Sequence, residues 1–146
     1  MSAKAAASKP LVNILIAEDD ANDVLLLKRA FSKARVPAAL FFVSNGQEAI
    51  SYLAGRPPFS DRTSHPFPDL VILDLNMPSV GGLEVLQWIS SKPELSVLRV
   101  AVLSSCVAPD ASRQAVLLGA QCCMTKPLDP LELVPVCREL QAAPGN

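Results

Sequence analysis

The sequence predicts an α/β fold, a three-layer α/β/α sandwich around a five-stranded parallel sheet. Three observations predict it. Short apolar runs of strand length recur along the chain, at 11–17, 40–43, 70–73, 100–103 and 122–125. Segments with helical spacing of apolar residues separate them. The runs are continuous rather than alternating, which marks strands buried on both faces under helices. At 146 residues the chain is the length of one domain. Half of its residues are apolar, and a chain this long can bury roughly two-thirds of its unfolded surface.

The elements follow in order. Residues 1–9 are small and polar without periodicity and read as a disordered tail. Leu11 to Ala17 is the first strand, stopped by Glu18, Asp19 and Asp20. Val24, Leu27, Phe31 and Ala34, at three- and four-residue steps, make the first helix. Leu40–Val43 is a second strand, and Gln47–Ala54 a short helix closed by Gly55. Residues 55–69 form a long loop with four prolines, Pro57, Pro58, Pro66 and Pro68. Leu70–Leu73 is a buried strand ending at Asp74. Gly81 and Gly82 precede a helix carrying Leu83, Leu86 and Ile89. Val100–Leu103 is the fourth strand, ending at Ser104 and Ser105. Pro109 suits the first turn of the next helix and Gly119 its end. Cys122–Thr125 is the last strand, ending at Lys126. Asp129 with Glu132 resembles a capping box, with Pro130 at the first helical position. The folded domain is expected over 10–142, with 143–146 as a tail.

Composition excludes several function classes. Thirteen Lys+Arg against 14 Asp+Glu give a net charge of −1. No basic excess favours nucleic acid or an anionic membrane, and no apolar stretch approaches the ~20 residues of a membrane span. The N-terminus lacks the apolar run of a signal peptide, so a cytoplasmic protein is expected. Cys106, Cys122, Cys123 and Cys137 form no C-x-x-C pair, so zinc and dithiol chemistry lose their spacing. They read as small, buried, reduced thiols, with Cys122 and Cys123 on opposite faces of a strand. One histidine, His65 in the proline-rich loop, cannot build a His-rich metal site and makes a poor triad base.

The strand ends carry the chemistry. In open parallel sheets, ligands bind beyond the carboxyl ends of the strands. Those ends carry Glu18 and Asp19, then Asp74, Ser104 and Lys126. Gathered carboxylates repel by roughly 1–4 kcal/mol per pair at 4 Å. A divalent cation removes that cost, and an all-oxygen site favours Mg²⁺. A lysine and a hydroxyl beside such a carboxylate form a phosphoryl-handling set. Singly, each residue has a plainer explanation. The acids could cap a helix, which is the whole role expected of Asp20. Asp74 could simply end a strand, and Ser104 and Lys126 could be solvated. Their joint placement at four strand ends is what points to a site.

These segments, ILIAEDD (14–20), LVILDLNMPSVGG (70–82), VAVLSS (100–105) and TKP (125–127), resemble the receiver domains of two-component response regulators over residues 10–141. The acid-pair segment ILIAEDDANDVLLL and the long loop before the third strand are most similar to the phytochrome-associated single-domain regulators. The resemblance implies strand order 2-1-3-4-5 and a cis Lys126–Pro127 peptide. It implies Asp74 as phospho-acceptor, Mg²⁺ on Asp19 and Asp74 directly and on Glu18 through water, and the backbone carbonyl of Asn76 as a further ligand. Ser104 would take the switch hydroxyl's place and Lys126 would contact the phosphoryl group. The implied partners are a sensor histidine kinase, of phytochrome type in the narrower reading, and a downstream protein or phosphotransfer protein. Nucleic acid and membrane are not expected partners.

Two departures qualify the resemblance. Where the family usually has an aromatic, three residues before the lysine, stands Cys123, so the aromatic–hydroxyl switch is incomplete. Pro135 lies inside the last helix, where proline costs ~3 kcal/mol. That helix is expected to kink or start late, leaving a monomer or weak homodimer. The function expected is a stand-alone receiver, not an enzyme beyond its own Mg²⁺-dependent phosphorylation from phosphohistidine and its slow dephosphorylation. The rivals are an unphosphorylated interaction module and a small aspartyl-phosphate phosphatase, which would need a second acid where Asn76 stands.

Overall fold

The computed structural model describes residues 11–105 and 109–142. The expected tails at 1–9 and 143–146, and Cys106, lie outside the described residues. Among the described residues five strands alternate with five helices. In order they are β1 (Val12–Ala17), α1 (Ala21–Ala34), β2 (Ala38–Val43), α2 (Gly46–Ala54), β3 (Leu70–Asp74), α3 (Gly82–Ser90), β4 (Arg99–Ser104), α4 (Pro109–Leu117), β5 (Cys122–Thr125) and α5 (Pro130–Ala142). A 3₁₀ turn, Pro93–Leu95, precedes β4. All strand pairings are parallel and the sheet order is β2-β1-β3-β4-β5. The receiver-like order expected from the sequence is therefore present.

The period-two rule divides the sheet between two cores. Leu15, Ala17, Val71, Leu73, Val100 and Val102 face one way, onto Tyr52 and Leu53 of α2 and Val85, Leu86 and Ile89 of α3. Ile14, Ile16, Leu70, Ile72, Ala101 and Leu103 face the other, onto Leu27, Ala30 and Phe31 of α1 and Leu133 and Cys137 of α5. All five residues of β3 are buried. Truncating one of its large residues, such as Ile72→Ala, is expected to cost roughly 2–5 kcal/mol.

Local signals set the boundaries that matter for the site. Asp20 caps α1, accepting from the backbone N–H groups of Asn22 and Asp23 at 2.7 and 3.1 Å. Asn45 caps α2 through Glu48 N–H at 2.8 Å, and Gly55 closes it at φ +72°. Gly82 starts α3 against the Asp74 carbonyl, which a Cβ there would approach to 2.6 Å. The β3–α3 loop is thereby held close beneath the end of β3.

Two sequence expectations need correction in part. Of the kink or late start expected of the last helix, the late start does not occur: the helix begins at Pro130 and runs through Pro135. The hydrogen bond that Pro135 forfeits is to the carbonyl of Leu131, a first-turn residue that is itself 75% exposed. The thiols are not uniformly buried either. Cys137 is buried and Cys122 half-buried, but Cys123 is exposed. β5 is an edge strand, and the Cys123 thiol lies on the face toward α4, with Sγ 3.7 Å from the Ser112 carbonyl. The opposed facing of Cys122 and Cys123 holds.

Candidate functional site

The carboxyl ends of β1, β3, β4 and β5 lie side by side, so the residues that follow them meet. In the register, Ala17 stands beside Leu73 and Ser104 beside Thr125. Glu18 and Asp74 are buried, at 3% and 1% exposure, in a protein whose other acids mostly face solvent. Asp19 is exposed. Carboxylate oxygens of Glu18, Asp19 and Asp74 all lie within 4.8 Å of one another.

Lys126 answers these charges. Its Nζ lies 2.9 Å from Asp74 Oδ2, 2.9 Å from Asp23 Oδ2 and 2.9 Å from Glu18 Oε1. The first two are aligned hydrogen bonds. The Glu18 contact is an ion contact without that alignment, and Glu18 Oε1 is left buried with no hydrogen-bond partner. The backbone holds the lysine in place, since Lys126 N–H donates to the Ser104 carbonyl at 2.8 Å. The Lys126–Pro127 peptide is cis.

The electrostatics follow from burial and proximity. Burial pushes Glu18 up to about 7; Lys126 opposes that shift, and the Asp74 carboxylate adds to it. Burial works against the Lys126 ammonium, but Glu18, Asp23 and Asp74 outweigh it and raise its pKa well above the ordinary value. Four carboxylates, Glu18, Asp19, Asp23 and Asp74, face one ammonium, so the site carries an excess of negative charge.

The loop after β3 supports Asp74. Asn76 N–H donates to Asp74 Oδ1 at 2.9 Å, and the Asn76 side-chain amide donates to Ser105 Oγ at 3.0 Å. Ser104 is buried at the end of β4. Every residue singled out from the sequence therefore falls at this rim. Asp20 stands apart as the α1 cap. Asp23 was not anticipated. Its place as the third residue of α1 reads as an acid at a helix N-terminus, and only the folded chain brings it to a lysine 103 residues away.

The donor set suits a hard divalent cation. Its ligand atoms are carboxylate oxygens, negative charge is in excess, and the buried Glu18 Oε1, though 2.9 Å from the Lys126 ammonium, accepts no aligned hydrogen bond.

Residues 14–138 match the model of the response regulator receiver domain. The chain belongs to the response regulator receiver family. It is 29% identical to response regulator Rcp1 of Synechocystis sp. over 119 residues, 82% of this chain and 79% of Rcp1. Among solved structures it resembles the phosphorylated cyanobacterial phytochrome response regulator RcpA, at 30% identity and a TM-score of 0.73, covering 90% of this chain and 92% of that one. It also resembles response regulator RPA3017, in red light signalling of R. palustris. There the identity is 33% and the TM-score 0.78, with 93% and 95% covered. Rcp1 itself has been solved in a Mn²⁺-bound form, which matches at 26% identity, a TM-score of 0.71 and coverage of 90% and 92%. Within the receiver family the chain is thus close to phytochrome-associated regulators. Among the described residues no helix is long and apolar enough to cross a membrane.

Proposed function

We propose that this receiver accepts a phosphoryl group on Asp74 from the phosphohistidine of a sensor histidine kinase of the phytochrome-associated kind. The observation that carries the reading is the 2.9 Å bond from Lys126 Nζ to the buried Asp74 carboxylate, beside the Glu18–Asp19 pair. The similarity to RcpA and RPA3017 supports the kinase class. In the reaction, an Asp74 carboxylate oxygen attacks phosphorus and an O–P bond forms. The N–P bond of the donor breaks, its electron pair returns to the ring nitrogen, and the ring, carrying a proton on its other nitrogen, leaves as neutral imidazole.

The chain's own residues divide the work. Glu18, Asp19 and Asp74, with the backbone carbonyl of Asn76, would hold Mg²⁺. Bound there, Mg²⁺ would neutralise oxygens that otherwise repel the incoming phosphoryl group. Lys126 supplies a fixed positive charge to the phosphoryl oxygens. Ser104 offers a hydroxyl to them, and Asn76 N–H orients Asp74. The loaded receiver signals by contact with a downstream protein or passes the group to a phosphotransfer protein. The reading places it in the cytoplasm, where ATP charges histidine kinases. Catalytic turnover of small phosphate esters is not expected, because Asn76, with its amide on Ser105, stands where such phosphatases need an acid.

Acetyl phosphate with Mg²⁺, followed by intact mass measurement, tests the reading. One phosphoryl group gained with Mg²⁺, and none with chelator, is the expected result. A mass unchanged under both conditions would leave an unphosphorylated interaction module.

A further inference from the structure

We propose that Asp23 is a positioning residue, the anchor that keeps Lys126 on the phosphoryl group through the reaction. This rests on the reading of Asp74 as acceptor. A lysine ammonium rides on a flexible four-carbon stem, so its place is set by its hydrogen-bond partners rather than by its backbone. Among the described residues three carboxylates contact Lys126 Nζ, and they are not equivalent. Glu18 and Asp74 belong to the group of acids that could hold a cation, and Asp23 does not. Glu18 is also poorly aligned for a hydrogen bond. Asp74 loses its formal charge when its carboxylate becomes an acyl phosphate. Asp23 alone combines an aligned bond, a charge that survives the transfer, and no part in the cation group.

Asp23 is itself fixed. Its N–H donates to Asp20 Oδ1, and Asp20 N–H donates to Glu18 Oε2 at 3.2 Å. A continuous path therefore runs from the end of β1, through the α1 cap, to the lysine of the β5 end. Asp23 is only partly exposed, at 31% of its side chain, and Lys126 at 20%. Their bond is thus partly shielded from water, where a charge-assisted hydrogen bond counts for more than on an open surface.

The test separates anchoring from charge. Asp23→Asn keeps an acceptor oxygen and removes the charge, while Asp23→Ala removes both. The rate of adduct formation from acetyl phosphate and Mg²⁺ is measured by mass, and Mg²⁺ affinity by calorimetry. Asp23→Ala is expected to slow adduct formation about ten-fold, the scale of one charge-assisted hydrogen bond. Asp23→Asn, which keeps the acceptor but not the charge, is expected to fall between Asp23→Ala and the parent chain, with Mg²⁺ affinity of both variants changed by no more than about three-fold. Rates equal to or faster than the parent chain's in both variants would overturn the anchor and make Asp23 a competing charge. An affinity loss as large as the rate loss would also overturn it, by moving the effect to the cation. Failure of the parent chain to gain a phosphoryl group would remove the reading on Asp74 and the anchor with it.

Discussion

Two cations organise opposite ends of the strands, and they keep different company. Lys126, at the carboxyl ends, faces three carboxylates at 2.9 Å. Arg62, in the loop that leads into β3, faces neutral groups. It donates to the carbonyls of His65 and Leu53 at 3.1 Å and lies over the rings of Tyr52 and Phe67, 5.7 Å from each. Around it, Tyr52, Phe59 and His65 pack edge to face or tilted, and Tyr52 donates to the Pro66 carbonyl at 3.0 Å. Among the described residues each region keeps one buried atom that makes no hydrogen bond, Glu18 Oε1, in ion contact with Lys126 only, and His65 Nδ1. On an imidazole this is a modest desolvation cost. On a carboxylate in a cluster of acids it marks charge that the protein alone does not balance. The loop is a finished structure, whereas the rim is built to receive something.

That contrast breaks most sharply at the two cations. Lys126→Ala should slow adduct formation by about 100-fold or more, on the scale of removing one transition-state donor. It should also melt earlier without Mg²⁺ and recover with it, because Glu18 and Asp74 are left as buried unpaired charges. Arg62→Ala should leave adduct formation unchanged and lose about 2 kcal/mol of stability, roughly 6 °C in Tm, from two carbonyl bonds and two ring contacts. A stable Arg62→Ala protein with impaired phosphorylation would join two regions held separate here.

The neighbouring acids sharpen the contrast within the rim. Asp19→Ala should weaken Mg²⁺ binding by about ten-fold, measured by calorimetry, with little change in Tm. Asp20→Ala should do the reverse, costing about 1 kcal/mol as a lost cap with Mg²⁺ affinity nearly intact. Equal Mg²⁺ losses would shift the pair by one residue.

Much of this was legible in the chain because acids stop apolar strands abruptly, as Asp74 ends LVIL and Glu18 ends ILIA. A strand end is a position that local pattern locates well, and parallel topology then gathers the ends without further information. What stayed hidden depends on tertiary geometry. Ala38 and Ala39 join β2 only by pairing with Val12 and Asn13. Asp23 looks like any acid in a first helical turn. The exposure of Cys123, on a strand whose neighbours in sequence read as core, shows only in the folded chain, where β5 is the edge strand. Pro135, a strong breaker by composition, is absorbed because its lost bond falls in an exposed first turn.

Smaller effects separate the thiols and the switch. Cys137 is buried, and burial pushes its thiol up to about 11; it should resist alkylation at pH 8 in the folded protein, while the exposed Cys123 reacts. Comparable labelling of both would mean that α5 opens. Because Cys123 replaces the usual aromatic, the response to a phosphate mimic with Mg²⁺ should concentrate in residues 104–112 by amide exchange. A response centred on 121–125, with 104–112 quiet, would contradict that.

The central claim is that Asp74 takes the phosphoryl group, and Asp74→Asn tests it most directly. Under acetyl phosphate and Mg²⁺, the parent chain should gain one phosphoryl group by intact mass and the folded Asp74→Asn chain none. An Asp74→Asn protein that still gains the group would contradict the account.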